Sequence, residues 1–136
     1  MRNWLMTWNS ETFDLDTLRR EGRPVNDWRV GRFRDELSAG DRFLLWRSGG
    51  GGIAALGRIE GKPEFKAAPS PDEWTDPPEP AWFVPLVIDS WHDRRVAFKT
   101  LRADARFEGM KFIGMPGAPN PHPVTEAQWA ALMTYL

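Results

Sequence analysis

Two apolar runs, Arg42–Arg47 (RFLLWR) and residues 53–60 (IAALGRIE), stand on either side of four consecutive glycines at 49–52. Strand, short glycine loop, strand is the signature of a hairpin, so a chain with this stretch must build at least part of a sheet. A phosphate-cradling loop would instead run into Gly-Lys-Ser/Thr and then a helix, whose first amides face the phosphate. Here no lysine follows, and the next element is apolar and strand-like. Glycines accept positive φ without a steric penalty, and four of them make a turn. Arg47 and Ser48 stand where the first strand opens into that turn, which makes them candidates for contact with a ligand at its rim.

The rest of the chain reads as short elements around that hairpin. Residues 3–8 (NWLMTW) form a short buried strand. Residues 14–22 (DLDTLRREG) form a short helix, with Asp14 as N-cap and Gly22 and Pro24 as the stop. Residues 25–37 predict a loop carrying Trp28 and then a short helix through Arg34 and Leu37. Residues 61–80 are rich in proline and acid and show no periodicity. They read as a long surface excursion with a short edge strand near Phe65. Trp74 in its middle predicts that this excursion folds back onto the body. Residues 81–91 (AWFVPLVIDSW) are a strand that Pro85 places at an edge or a bulge. Residues 96–101 either pair or lead into a short turn of helix, and residues 115–123 are a loop. The C-terminal segment is a helix: Thr125 and Gln128 make a capping box, and Trp129, Leu132, Met133 and Leu136 share one face. About five or six strands with a few short helices give an α+β fold or a small barrel.

Composition narrows the chemistry. A chain of 136 residues fits one domain, residues 1–136, and buries about two thirds of its unfolded surface without a staple. It has no cysteine, which removes disulfides, thiolate metal sites and thiol nucleophiles. Its two histidines, His92 and His122, are far apart with no ligand spacing, so neither a metal nor a cofactor is expected. No apolar run reaches the roughly 20 residues of a membrane span, and a cytoplasmic protein is the expectation. The net charge of −1 hides an uneven distribution. Nine arginines face five acids from 19 to 58, eight acids face two lysines from 60 to 93, and six cations face three acids from 94 to the end. The acidic middle is expected to face away from nucleic acid. Fourteen arginines against four lysines suit phosphates and aromatic faces, because the guanidinium is planar and forked. Eight tryptophans exceed what a core of this size needs, so one or two should line a pocket. No G-x-S-x-G elbow is present, and His92 in SWHDRR reads as a polar loop residue rather than a general base.

The order of motifs carries more than any one of them. NWLMTWNSETFD, then W..GRFRDEL.AGDRFLLW, GGIAALGRI, WFVPLVID and finally LRADARFEGMKFIGMPGAPNPHPVTEAQWAAL together resemble the EVE domain. That family has the PUA-like superfold and is related to the YTH readers of methylated adenine. The resemblance runs from about Asn3 to Leu136. One departure stands out: many EVE domains carry Lys-Ser-Glu-Pro after the first strand, where this chain has Thr7-Trp8-Asn9-Ser10.

The resemblance implies a PUA-like, compact mixed β-barrel with helices around it, and a pocket for a nucleobase turned out of its stack. By similarity, Trp28 stands where YTH domains carry a cage tryptophan. Trp82 is expected as the second ring, with Trp74 in reserve. Asn9 and Ser10 are expected to read the base edge. Arg32, Arg47 and Ser48 are expected at the phosphates or the rim. Trp4, Trp46 and Trp129 lie in apolar elements and read as core. The implied function is non-catalytic reading of a modified base in DNA or RNA, with DNA favoured because bacterial EVE domains are linked with defence against modified DNA. A nuclease encoded separately is a conceivable partner. Two other classes compete. An enzyme acting on a modified nucleoside, like some ASCH relatives, would need a catalytic group in the pocket, yet the four lysines (62, 66, 99 and 111) fall outside the candidate rim. A protein-interaction module is compatible with the near-neutral charge.

Overall fold

The computed structural model describes all residues, 1–136. Seven strands are present: β1 (Asn3–Trp8), β2 (Asp27–Arg29), β3 (Arg42–Arg47), β4 (Ile53–Ile59), β5 (Glu64–Lys66), β6 (Ala81–Arg94) and β7 (His122–Val124). They form one curled mixed sheet in the order β2-β6-β4-β3-β1-β7, with β5 on β6. The β1–β3 pair is parallel and every other pair is antiparallel. Four short helices accompany it: α1 (Leu15–Arg20), α2 (Phe98–Ala103), α3 (Lys111–Gly114) and α4 (Glu126–Met133). This is the α+β half-barrel that the sequence predicts, with one strand more than expected.

Both faces of the central strands are buried, which is why β1 and β3 read as unbroken apolar runs. Trp4, Met6 and Trp8 of β1 join Phe43 and Leu45 of β3 in an inner cluster that α1 closes with Leu15 and Leu18. Leu5, Leu44 and Trp46 point the other way, into a second cluster with Leu101, Phe112, Trp129 and Leu132 from the helices. Trp4, Trp46 and Trp129 are therefore core residues, as expected. The α1 cap is as read: the Asp14 carboxylate accepts from the Thr17 amide at 3.0 Å. The α4 capping box is complete, with Thr125 and Gln128 exchanging side-chain-to-backbone bonds of 2.9 and 3.1 Å. Thr125→Ala removes the acceptor for one otherwise unpaired helix amide and should cost about 1 kcal/mol, read as a lowered denaturation midpoint.

The glycine loop is a hairpin turn. All four glycines have positive φ, from +63° to +150°. At Gly52 a Cβ would lie 2.2 Å from the Arg94 carbonyl oxygen, so close backbone approach adds to the conformational demand.

Two local expectations fail. Residues 25–37 contain no helix; Trp28 sits on β2, and the chain then turns through Phe33 at φ 56°. The three-residue β2 exists because β6 pairs with it (Trp28 opposite Val84), a partner 56 positions away that no local pattern reveals. Pro85 does not mark an edge strand, since β6 has β2 on one side and β4 on the other. Its missing amide falls where the β4 ladder ends, at Ile59–Leu86, and at the last β2 pair, Asp27–Pro85. Of the two readings of residues 96–101, the helical one holds: they do not pair, and most of them enter α2.

Candidate functional site

The sheet is closed on one side by a side chain rather than a strand. Only Asn3–Leu5 of β1 pair with β7, which leaves the edge of β1 open at Thr7. The Asn120 carboxamide fills that place. Its Oδ1 accepts from the Thr7 amide at 2.9 Å, and its Nδ2 donates to the Thr7 carbonyl at 3.0 Å. The Asn120 backbone carbonyl accepts from the Gly31 amide at 2.8 Å, so one residue ties β1 to the turn after β2. The Trp28 indole N–H also donates to the Thr7 carbonyl, at 3.3 Å.

Between these parts lies a cavity of about 470 Å³, within the usual range for a small-ligand site. Its aromatic walls are Trp8, Phe13, Trp28, Trp74 and Phe83. Phe13 stands edge-on to Trp28, with centroids 5.8 Å apart, and to Trp74, at 4.9 Å. The indole N–H of Trp74 is held by the Pro69 carbonyl at 3.0 Å, and that of Trp8 by the Phe13 carbonyl at 2.9 Å. Every ring N–H here is thus satisfied within the protein, and the rings are fixed in place before any ligand arrives. Asn9, Asn26, Ser70 and Asn120 supply polar groups to the walls, and Asp27 and Arg29 are the only charged ones. No lysine or histidine lines it.

Trp74 reaches the cavity because the long excursion is tied down. Phe13 and Trp74 form an isolated β-bridge, the Asp14 amide donates to the Glu73 carbonyl at 2.7 Å, and Thr75 bonds back to Glu11 and Thr12. An ion pair between Arg23 and Glu73 adds to the tie. Part of the acidic middle thus belongs to the cavity wall, through Pro69, Ser70 and Trp74, while none of its carboxylates lines the cavity.

The structure brings Trp28, Trp74 and Asn9 to one cavity and leaves the other named residues outside it. Trp82 lies on the far side of the Gly31–Arg32 turn, with the Arg34 guanidinium 4.4 Å over its ring. Ser10 and Arg47 line a second depression of about 250 Å³, next to the glycine loop. Trp8 is common to both depressions. Arg47 stacks 4.7 Å over the Trp8 ring and reaches Asp16 at 3.5 Å. Ser48 is occupied locally, its amide donating to the Trp8 carbonyl at 2.8 Å.

Arg32 braces the wall instead of lining it. Its Nε donates to the Pro119 carbonyl at 2.7 Å, and one terminal nitrogen donates to Nδ1 of His122 at 3.0 Å. A guanidinium only donates, so His122 is neutral with its proton on Nε2. That nitrogen is buried without a partner, and the ring meets Phe112 edge-on at 5.1 Å. Burial, and then the charge of Arg32, push the His122 pKa down to about 4. Sequence reasoning did not find Asn120, Phe13 or the bracing role of His122.

A family model described as EVE domain matches residues 2–135. No curated protein matches the chain. Among solved structures, a protein from Pseudomonas syringae superposes with a TM-score of 0.72 at 22% identity, covering 98% of this chain and 99% of that one. A protein from Leishmania major gives 0.72 at 17% identity over 98% and 93% of the two chains. Human THYN1 protein, in a complex with 5-methylcytosine-containing DNA, gives 0.67 at 16% identity over 99% and 98%. Identities this low establish a shared fold.

Proposed function

This chain belongs to the EVE domain family, and from that premise we propose that it is a non-catalytic reader of a modified nucleobase, carried by DNA in preference to RNA. The observation that carries the reading is the preformed cavity between Trp28 and Trp74 over Phe13. A base entering it exchanges stacking in its own strand for stacking on fixed rings. Extrusion costs a few kcal/mol and aromatic stacking returns about 1–3 kcal/mol per base. An added methyl group buries further apolar area against the rings and shifts that balance towards the modified base. Asn9 and Asn26 supply amide groups for the base edge, in addition to the polar lip that Ser10 continues outwards. The human THYN1 complex with 5-methylcytosine DNA supports this class of ligand. The arginine-lined depression beside Trp8 suits the phosphates of the same strand, with Arg47 stacked on the ring that the depression shares with the cavity.

The test is a titration at low salt, followed by intrinsic tryptophan fluorescence. The ligands are short single- and double-stranded oligonucleotides carrying one 5-methylcytosine, 5-hydroxymethylcytosine or N6-methyladenine, with unmodified controls. Preferential quenching by one modified base is the expected outcome. Equal, weak responses to all of them overturn the reading, and conversion of a modified nucleoside into a product would make the protein an enzyme. Arg47→Ala should weaken modified and unmodified oligonucleotides alike and make the slope of log affinity against log salt shallower by about one.

A further inference from the structure

Trp82 and Phe65 are among the few large apolar side chains that the fold leaves in solvent, 37% and 60% exposed. They are directly opposite each other on β6 and β5, with ring centroids 5.7 Å apart at 66°. Neither has a place in the core, and an exposed aromatic pair is a costly thing to leave uncovered on a sheet surface. The Arg34 guanidinium lies over the Trp82 ring and has no carboxylate partner. The groove beside them holds about 520 Å³ and includes Gly31, Arg32, Phe33, Arg34 and Lys62.

Position makes this more than an apolar patch. Gly31 lines both this groove and the Trp28–Trp74 cavity, so the two share a wall one turn thick. The Trp28–Val84 pair and the Val30–Trp82 hydrogen bond are successive steps on the β2–β6 ladder. Val84 and Trp82 are thus two residues apart on one strand, about 7 Å. That is the scale of one step along an unstacked nucleic-acid strand. The groove is lined by Arg32, Arg34 and Lys62 against Asp35 and Glu36, a small excess of cations that favours an anionic chain, while Lys66 beside it is paired with Asp27 at 2.9 Å. An aromatic ring with a stacked guanidinium beside it is also the chemistry on which unpaired bases are held without regard to sequence.

We propose that Trp82 and Phe65, with Arg34, form a second stacking platform, which takes the unpaired base next to the one in the cavity. The protein would then grip two successive nucleotides, the first by its modification and the second by its π-face alone. This rests on the base-reading role of the cavity, and the experiment separates the two. Three probes are measured by calorimetry: 5-methyl-2′-deoxycytidine, a DNA trinucleotide centred on 5-methylcytosine, and the same trinucleotide with abasic neighbours. A parallel set carries N6-methyladenine. The wild-type protein should bind the full trinucleotide about five- to tenfold tighter than the abasic-flanked one, at the lower end of what one stacked base contributes. Trp82→Ala should bind both trinucleotides alike and keep the nucleoside affinity of the wild type, and Phe65→Ala should lose part of the same gain. The platform is overturned if abasic neighbours cost the wild type nothing, or if Trp82→Ala keeps the full difference. Loss of nucleoside binding in the wild type, with the neighbour effect intact, would sink the cavity reading and leave the platform standing. Absence of binding to either set overturns both.

Discussion

Trp28→Ala is expected to lower affinity for the preferred modified oligonucleotide by about 1–3 kcal/mol, five- to 150-fold, and Trp74→Ala by a similar factor. The reason is geometric. Each indole is pinned by its N–H, to the Thr7 carbonyl and the Pro69 carbonyl respectively, and each meets Phe13. A base between them therefore pays little to order its walls, and removal of either ring loses nearly the whole stacking term on that side. Trp28 also packs against the inner core, so its removal will lower stability as well. Trp28→Phe separates the two effects: it keeps an aromatic face and loses only the bond to Thr7, whose carbonyl is still satisfied by Asn120. The phenylalanine variant should bind within about tenfold of the wild type. Calorimetric titration beside a thermal melt gives both readouts. Unchanged affinity in folded Trp28→Ala and Trp74→Ala proteins would mean that the cavity is not the binding site.

The second large effect is on stability against pH. His122 is neutral in the fold, with a pKa near 4, against about 6.5 in an unfolded chain. Between those values the unfolded state binds a proton that the folded state refuses. Stability is therefore complete above about pH 6.5 and is lost as the pH falls towards 4, by about 3 kcal/mol in all. The carboxylates that Arg58 and Arg19 hold below their usual range, Asp89 and Asp93, add to acid sensitivity only at lower pH, where free carboxylates begin to protonate. The interval from 6.5 to 4.5 should thus report mainly on His122. Urea denaturation across it should show falling stability in the wild type and a nearly flat line in His122→Gln, which can still accept from Arg32 but does not titrate. A flat wild-type line would show that His122 is not held neutral. Protonated His122 would repel Arg32, which braces the Pro119–Asn120 wall of the cavity. In the folded protein His122 protonates only as the pH approaches 4, so ligand affinity should hold down to about pH 5 in both proteins and then weaken in the wild type but not in the glutamine variant.

Much of the scaffold is legible in one dimension because its causes are local. The apolar runs of β1, β3 and β4, the four-glycine turn, the Asp14 cap and the Thr125–Gln128 box each depend on residues a few positions apart. The lack of any cysteine removes thiol chemistry by composition alone. The ordered motifs that resemble the EVE domain carried the fold, and Trp28 and Asn9 do stand together at a cavity. The choice among the other tryptophans was not available in the same way. Trp82 sits in a strand and Trp74 in a proline-rich excursion, and by local pattern the strand residue is the better candidate for a fixed wall. Trp74 reaches the cavity through a bridge to Phe13, 61 positions earlier, and Asn120 reaches Thr7 across 113. Contacts of that kind are set by how the sheet curls and where its open edges meet. The sequence by itself determined β1, β3, β4, β6, α1 and α4, because their periods and caps are local. Only the tertiary structure decided which rings face one another, because that follows from chain closure over long separations, and no spacing along the chain records it.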